Sequence, residues 1–141
     1  MSKEICYEHT VQYYETDQMG IAHHSNYIRW FEEARVHFLD VIGMGYKESE
    51  EMGIISPVVA VEANYKNMSY FHDVVVIKVK VTECSGVRLS LEYEVTDKVT
   101  GQVRCTGKSK HCFINPEGKI ISLKKVVPDK YEELVSMLSA E

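Results

Sequence analysis

One long apolar helix stripe, followed almost entirely by strand patterns, constrains the fold of this chain most strongly. The stripe recurs at steps of three or four residues, which is the period of one helix face. Its members are Tyr27, Phe31, Ala34, Phe38 and Ile42. Trp30 and Val41 widen the stripe, and Gly43 and Gly45 mark its end. A helix with such a broad aromatic face must be buried along one side.

The rest of the chain shows the patterns of strands and tight turns. Strands are predicted at residues 5–14, 54–70, 74–81, 88–96 and 103–114, with turns at 97–102 and 115–118. In residues 74–81, for example, the valines and Ile77 alternate with Lys78 and Lys80. A short helix is predicted at 46–52, and a terminal helix begins at Pro128.

Consecutive strands joined by tight turns form antiparallel sheets. We therefore predict an α+β fold in which a curved antiparallel sheet wraps around one long central helix. A ferredoxin-like split βαβ fold is the main competitor, but it requires a second long helix between the later strands, and the sequence shows none. Without repeats or linkers, residues 1–141 are expected to form one domain.

Composition excludes several classes of function. A net charge of -5 does not favour nucleic-acid or anionic-membrane binding, since both require a basic surface. There is no signal-peptide pattern and no apolar run of about 18 residues, so no membrane span is expected and we predict a cytoplasmic protein. The cysteines, at positions 6, 84, 105 and 112, form no C-x-x-C pair and are interpreted as reduced thiols.

The segment YYETDQMGIAHHSNY, residues 13–27, is the candidate site. Asp17 follows a predicted strand, and Gly20 permits a sharp turn before the helix. The first N–H groups of that helix, at residues 23–26, are unpaired donors beside a positive dipole end. A carboxylate next to such donors suits acyl transfer, because negative charge develops on the carbonyl oxygen under attack.

Simpler interpretations of the same residues remain open at this stage. Asp17 is a common turn residue, and the histidines would then be solvated. Adjacent histidines on a loop are expected to point in different directions, and no third ligand is spaced to join His23 and His24, so no metal site is predicted. Tyr27 is most simply a core residue.

The stretch YYETDQMGIAHHSNYIRWFEEAR resembles the signature of the 4-hydroxybenzoyl-CoA thioesterase-like branch of the hotdog-fold acyl-CoA thioesterases. The matching positions are Asp17, Gly20, His24, Asn26, Tyr27, Glu33, Ala34 and Arg35. The resemblance extends over nearly the whole chain and includes Tyr65 and Asp73. Glu15, Thr16, Ala22 and His23 depart from the usual pattern.

The resemblance implies a hotdog fold and hydrolysis of an acyl-CoA thioester without a cofactor. Asp17 would be the catalytic carboxylate, as nucleophile or as general base toward water. Backbone N–H groups around His23 and His24 would polarise the carbonyl, and the His24 side chain would help to fix Asp17 or the substrate. Asn26 and Tyr27 would shape the helix entrance. The active site would lie between the subunits of a homodimer or homotetramer.

The phosphates of CoA require cations, and several basic residues are candidates to bind them. These are Lys66, Lys78, Lys80, Arg88, Lys108 and Lys110. Arg88 with Ser90 is preferred, because the resemblance places the nucleotide end after the turn that precedes them. A non-catalytic acyl-CoA-binding module and a dehydratase of the same architecture are the alternative functions.

Overall fold

A five-stranded antiparallel sheet covers the long helix in a computed structural model that describes residues 4–138. The strands lie in the order β1-β3-β4-β5-β2. They are β1 (Ile5–Thr10), β2 (Val58–Tyr65), β3 (Val74–Cys84), β4 (Arg88–Asp97) and β5 (Val103–Cys112). The helices are α1 (Ser25–Val41), α2 (Tyr46–Met52), α3 (Leu123–Val126) and α4 (Pro128–Ser136), and a 3-10 helix spans Tyr13–Glu15. The predicted α+β arrangement is confirmed.

The apolar stripe of α1 forms the centre of the core, as its period predicts. All five stripe residues are buried, and Trp30 is fully buried with them. They face alternate residues of β3 and β4, among them Ile77 and Leu91. The expectation for Val41 was wrong: its side chain is 56% exposed. It lies at the last position of α1, beside an open cleft between β1 and α4.

Three contacts set the direction of α1 over the sheet. Gly107 of β5 lets α1 approach closely, because a Cβ there would lie 2.6 Å from Cζ of Phe31. The Tyr65 hydroxyl donates to the His24 carbonyl over 3.3 Å, and Nη1 of Arg35 donates to the Ser56 carbonyl over 3.3 Å. The amino end of α1 therefore lies at the carboxyl end of β2.

Several predicted boundaries differ from the observed ones. β1 ends at Thr10 and not at residue 14, because Glu15 turns inward and residues 13–15 form the 3-10 helix. β2 is shorter than residues 54–70: Pro57 precedes it, and the chain leaves the sheet after Tyr65. β3 runs on to Cys84, β5 ends at Cys112, and α3 was not predicted.

Candidate active site

A tight hairpin presents Asp17 between the 3-10 helix and α1. The N–H of Asp17 donates to the Ile21 carbonyl over 2.9 Å, and the N–H of Gly20 donates to the Asp17 carbonyl over 2.9 Å. Gly20 has a φ of +78°, in the left-handed region where a glycine is least strained. The expected sharp turn at Gly20 is therefore present, and it closes the chain back toward the helix.

The Asp17 carboxylate is half-buried and has one oxygen free. Its Oδ1 accepts the N–H of Met19 over 2.8 Å. Within residues 4–138, Oδ2 accepts no hydrogen bond. Three large side chains close to it in the sequence, Tyr13, Tyr14 and Met19, are at least 75% exposed. A carboxylate with a free oxygen among exposed apolar groups has the character of a binding site that a ligand or a second chain covers.

Only some backbone N–H groups at the start of α1 are free to donate a hydrogen bond to a ligand. The N–H of Ala22 donates to the Ser69 carbonyl, and that of His23 donates to the Glu15 carbonyl, each over 2.8 Å. The N–H of Ser25 lies 3.2 Å from Nδ1 of His23. The N–H of His24 has no acceptor within the part of the chain described. The sequence predicts that the N–H groups around His23 and His24 polarise the substrate carbonyl. Of these two, only the N–H of His24 is free to donate to a ligand in the described residues.

Asn26 and Tyr27 hold the entrance of α1 to the neighbouring loops. Nδ2 of Asn26 donates to the carbonyls of Glu15, over 2.9 Å, and His23, over 3.2 Å. The Tyr27 hydroxyl donates to Oγ of the fully buried Ser69 over 2.9 Å. Burial raises the pKa of Tyr27, so its hydroxyl remains a neutral donor. Both side chains support the loop and do not face solvent.

Glu15 is a buried carboxylate that the sequence did not single out. It is 4% exposed and accepts hydrogen bonds from the Gln12 N–H, Nε2 of His9 and Nε1 of Trp30, each over 2.8 Å. Burial alone would raise the pKa of Glu15, but these hydrogen bonds outweigh it and lower the pKa. Its position before Thr16 makes it the anchor of the Asp17 hairpin. The signal available in the sequence was Trp30, a buried indole N–H that needs an acceptor.

Within the described residues, no hydrogen bond joins Asp17 to the His24 side chain, to Arg88 or to Ser90. The His24 ring is 4.1 Å from the His23 ring and 5.9 Å from that of Tyr65, measured between centroids, and it forms no hydrogen bond with Asp17. Arg88 begins β4, and Ser90 is occupied by a 2.9 Å hydrogen bond to Glu83. Their roles stay predictions.

The predicted lysines on β3 are partly engaged by carboxylates. Nζ of Lys78 lies 4.0 Å from Oε1 of Glu94, and Nζ of Lys80 lies 3.6 Å from Oε1 of Glu4. Exposed pairs of this kind contribute little to stability and leave the lysines able to exchange partners. The structure does not favour either lysine as a phosphate ligand.

Two of the cavities in residues 4–138 lie beside α1. One of about 610 Å³ lies between α1, α2 and residues 53–56, beside Arg35. Another of about 220 Å³ lies beside Tyr93 and His111. Neither is lined by Asp17.

No metal site or membrane-spanning helix is found within residues 4–138. No group of three His, Cys, Asp or Glu side chains has the arrangement that a metal ion would require. None of the helices in this range is both long and apolar enough to cross a bilayer. The four cysteines are unpaired thiols.

A five-stranded antiparallel sheet that covers one long helix is the arrangement of the hotdog fold. The sequence matches the Thioesterase-like superfamily over residues 11–134, and the chain belongs to this family. It is an acyl-CoA thioesterase, and the expected class of enzyme is thereby confirmed.

The chain is similar to individual proteins over most of its length. The chain is 32% identical to a DHNA-CoA thioesterase from Staphylococcus aureus, whose structure it matches with a TM-score of 0.86 over 95% of this chain and 92% of that one. A hypothetical protein from Aquifex aeolicus is 34% identical, with a TM-score of 0.82 over 90% of this chain and 98% of that one. A 1,4-dihydroxy-2-naphthoyl-CoA hydrolase of Prochlorococcus marinus (strain NATL1A) is 31% identical over 79% of each chain.

Proposed function

We propose that this enzyme cleaves CoA thioesters at the Asp17 hairpin, with the Asp17 carboxylate and the His24 N–H as its catalytic groups. The observation that carries the proposal is their joint availability: Oδ2 of Asp17 has no partner within the described residues, and neither has the N–H of His24. The neighbouring amides of Ala22 and His23 are both occupied.

The chemistry follows from these two groups. Attack on the thioester carbon moves an electron pair onto the carbonyl oxygen, and the His24 N–H donates to that oxyanion. Collapse of the tetrahedral intermediate breaks the C–S bond, and the CoA thiolate leaves and takes up a proton. One well-placed amide donor contributes about 10²–10³ in rate, and a carboxylate base contributes about 10²–10⁴.

Asp17 can act in either of two ways at this position. As a nucleophile, Oδ2 forms a mixed anhydride with the acyl group, which water then hydrolyses. As a general base, Oδ2 removes a proton from water, and the resulting hydroxide attacks the thioester directly. A free carboxylate oxygen supports both routes, and the two produce the same acid and thiol.

We further propose that the working site is completed by a second subunit. β2 is an edge strand with most of its side chains exposed, including Val58, Val59 and Val61. A long apolar edge is a surface that pairs with another chain. Ile28 and Val36 of α1 are exposed as well. A homodimer through β2, on its own or within a homotetramer, would cover these residues and wall the substrate site, and we place this assembly in the cytoplasm.

The main alternative is a protein that binds acyl-CoA without hydrolysing it. The free Asp17 carboxylate argues against this alternative, because pure binding of an acyl carbonyl needs donors and not a carboxylate. Thiol release from a panel of short, long and aromatic acyl-CoAs decides between them. We expect turnover of at least one thioester. Thermal stabilisation by acyl-CoA without thiol release over hours would contradict the proposal.

A further inference from the structure

A single arginine, Arg104 of β5, holds both ends of the β2–β3 loop, which comprises residues 66–73. At the start of the loop, the Arg104 carbonyl accepts the N–H of Lys66 over 2.9 Å. Nη1 of the same residue donates to the Met68 carbonyl over 2.9 Å and to Oδ2 of Asp73 over 2.8 Å. The backbone and the side chain of Arg104 therefore bind the same loop.

A β-bulge in β5 places Arg104 beside this loop. Val95 of β4 is paired with Cys105 of β5. The next residue of β4, Thr96, is paired with Val103. Arg104 is therefore the extra residue of the bulge and has no partner on β4. A bulge redirects a side chain, and bulges are over-represented next to active sites.

Burial makes Arg104 an unusual residue for this position. It is 7% exposed, and besides Asp73 it faces Asp97, whose Oδ1 lies 3.2 Å from Nη2. Its Nε is buried and has no hydrogen-bond partner in the part of the chain described. Replacing a buried ion pair with apolar side chains of similar volume is often neutral or stabilising. Stability alone therefore does not explain an arginine here, whereas the geometry of the loop does.

The loop contains a strained residue next to Asp73. His72 has a φ of +75°, and within residues 4–138 no other residue except glycine has a positive φ. Such conformations persist only where the surrounding structure enforces them, and they cluster at functional sites. Oδ2 of Asp73 accepts the N–H of Tyr70 over 2.9 Å, and the Asp73 N–H donates to the Tyr70 carbonyl over 3.0 Å. The oxygen that closes this turn is the one to which Arg104 donates.

The β2–β3 loop contacts the hairpin that carries Asp17. The carbonyl of the fully buried Ser69 accepts the N–H of Ala22 over 2.8 Å. Tyr70 forms an isolated β-bridge with Ile21, whose carbonyl accepts the N–H of Asp17 over 2.9 Å. The loop therefore fixes the segment that returns from Asp17 to α1.

The same loop fixes the first turn of α1. Oγ of Ser69 accepts the Tyr27 hydroxyl over 2.9 Å, in addition to the Ala22 N–H that the Ser69 carbonyl accepts. His24 lies between Ala22 and Tyr27 in the chain, so the backbone on both sides of it is attached to one buried serine. The direction of the free His24 N–H thus depends on where the loop places Ser69.

We propose that Arg104 is a positioning residue for thioester cleavage, which holds the β2–β3 loop so that the His24 N–H is aligned with the oxyanion. This inference rests on the proposed function, since the direction of that N–H affects the rate only if it donates to the oxyanion. Arg104 acts through Met68 and Asp73 and does not contact the reacting atoms.

The first test measures kcat and KM of Arg104→Lys with the best thioester of the panel. Lysine keeps the charge but lacks the planar fork with which arginine binds two acceptors in a fixed geometry. We expect kcat, corrected for the folded fraction by circular dichroism, to fall about tenfold, because a small misplacement of a catalytic group is costly. KM should stay within about threefold of the wild-type value, because the lost interaction is made in the transition state.

Asp73→Asn provides a second variant in case Arg104→Lys folds poorly. It removes the charge to which Arg104 donates, and we expect a similar fall in kcat at a similar KM. Because both substitutions act on one contact, the double variant should lose no more than the more impaired single variant. Losses that multiply in the double variant would overturn the inference.

Amide hydrogen exchange gives a readout that does not depend on catalysis. We compare the exchange rate of the Ala22 N–H with that of the Ile77 N–H, which lies in the core of the sheet and reports global unfolding. In Arg104→Lys, the ratio of the Ala22 rate to the Ile77 rate should rise about tenfold, because the Ser69 carbonyl no longer holds the Ala22 N–H in place. An unchanged ratio would overturn the inference.

Lys130→Met is the matched control. Nζ of Lys130 donates to the Ile42 carbonyl over 2.9 Å, at the far end of α1 from the hairpin, so this change weakens the fold without altering the loop. It should keep the wild-type kcat, KM and exchange ratio after the same correction. A wild-type kcat in Arg104→Lys, or an equal fall in Lys130→Met, overturns the inference and leaves the proposed function standing. No thiol release by the wild type from any thioester overturns the proposed function itself.

Discussion

At the scale of single residues, Glu15 is the group that organises the candidate site. Its side chain joins β1, the 3-10 helix and α1 through His9, Gln12 and Trp30. Its backbone carbonyl accepts from the His23 N–H and from Asn26. The hairpin that carries Asp17 begins two residues later. The placement of the carboxylate that we propose to be catalytic thus depends on a second carboxylate in the interior.

We expect Glu15→Gln to destabilise the fold by about 1–3 kcal/mol at neutral pH, because an amide cannot accept from all three donors at once. The pKa of Glu15 is lower in the folded state than its usual value of 4.5. Its contribution is therefore complete above that value and is lost as the pH falls through the folded-state pKa. Urea unfolding of both proteins at pH 7 and at steps below pH 4.5 measures the difference.

The matched control for this substitution is Glu132→Gln, an exposed residue of α4 that is expected to leave stability unchanged. The free energy of unfolding of Glu15→Gln is compared with that of the wild type at each pH. A difference that stays constant as the pH falls below 4.5 would show that the negative charge of Glu15 does not stabilise the fold. A difference that narrows in acid supports the account.

At the scale of elements, periodic segments were predictable and segments shaped by tertiary contacts were not. α1 follows from its own stripe, and β3 follows from its alternation, because one buried face dictates each pattern. The early end of β1 depends on the burial of Glu15, which no local pattern reveals. The end of β2 after Tyr65 likewise depends on where the sheet stops.

In the candidate site, too, local features could be predicted from the sequence and features that depend on tertiary contacts could not. The Asp17 hairpin and Gly20 could be placed from sequence, because turn chemistry is local. That the His24 amide is free while that of His23 is occupied depends on Glu15, eight residues earlier. Tyr93 of β4 is hydrogen-bonded to Ser109 of β5, which is in turn hydrogen-bonded to His111. These contacts depend on the register between the two strands, whereas the alternating pattern shows only that the three residues face inward.

At the scale of the whole molecule, the exposed edge of the sheet is the surface through which we propose that two copies of the chain pair. Val59 in β2 is 63% exposed beside other apolar residues. We expect Val59→Asp to disrupt pairing, because a charge on an edge strand opposes addition of another strand. The solution mass, measured by light scattering, should fall from at least twice 16.2 kDa to about 16.2 kDa, and thiol release should fall with it.

Val99→Asp is the control for this experiment, since Val99 is an 89% exposed valine in the turn after β4. It should keep both the wild-type mass and the wild-type activity. A wild-type protein that is already monomeric and fully active would contradict the role given to the second subunit.

The most direct test of the central claim is the rate of thiol release by Asp17→Asn. With the best thioester of the panel, we expect kcat/KM to fall by about 10²–10⁴, because the amide can neither attack nor remove a proton. Its thermal unfolding curve should stay close to that of the wild type, and Asp129→Asn, a change at an exposed carboxylate of α4, should retain full activity. A folded Asp17→Asn variant that hydrolyses the thioester at the wild-type rate would contradict the account.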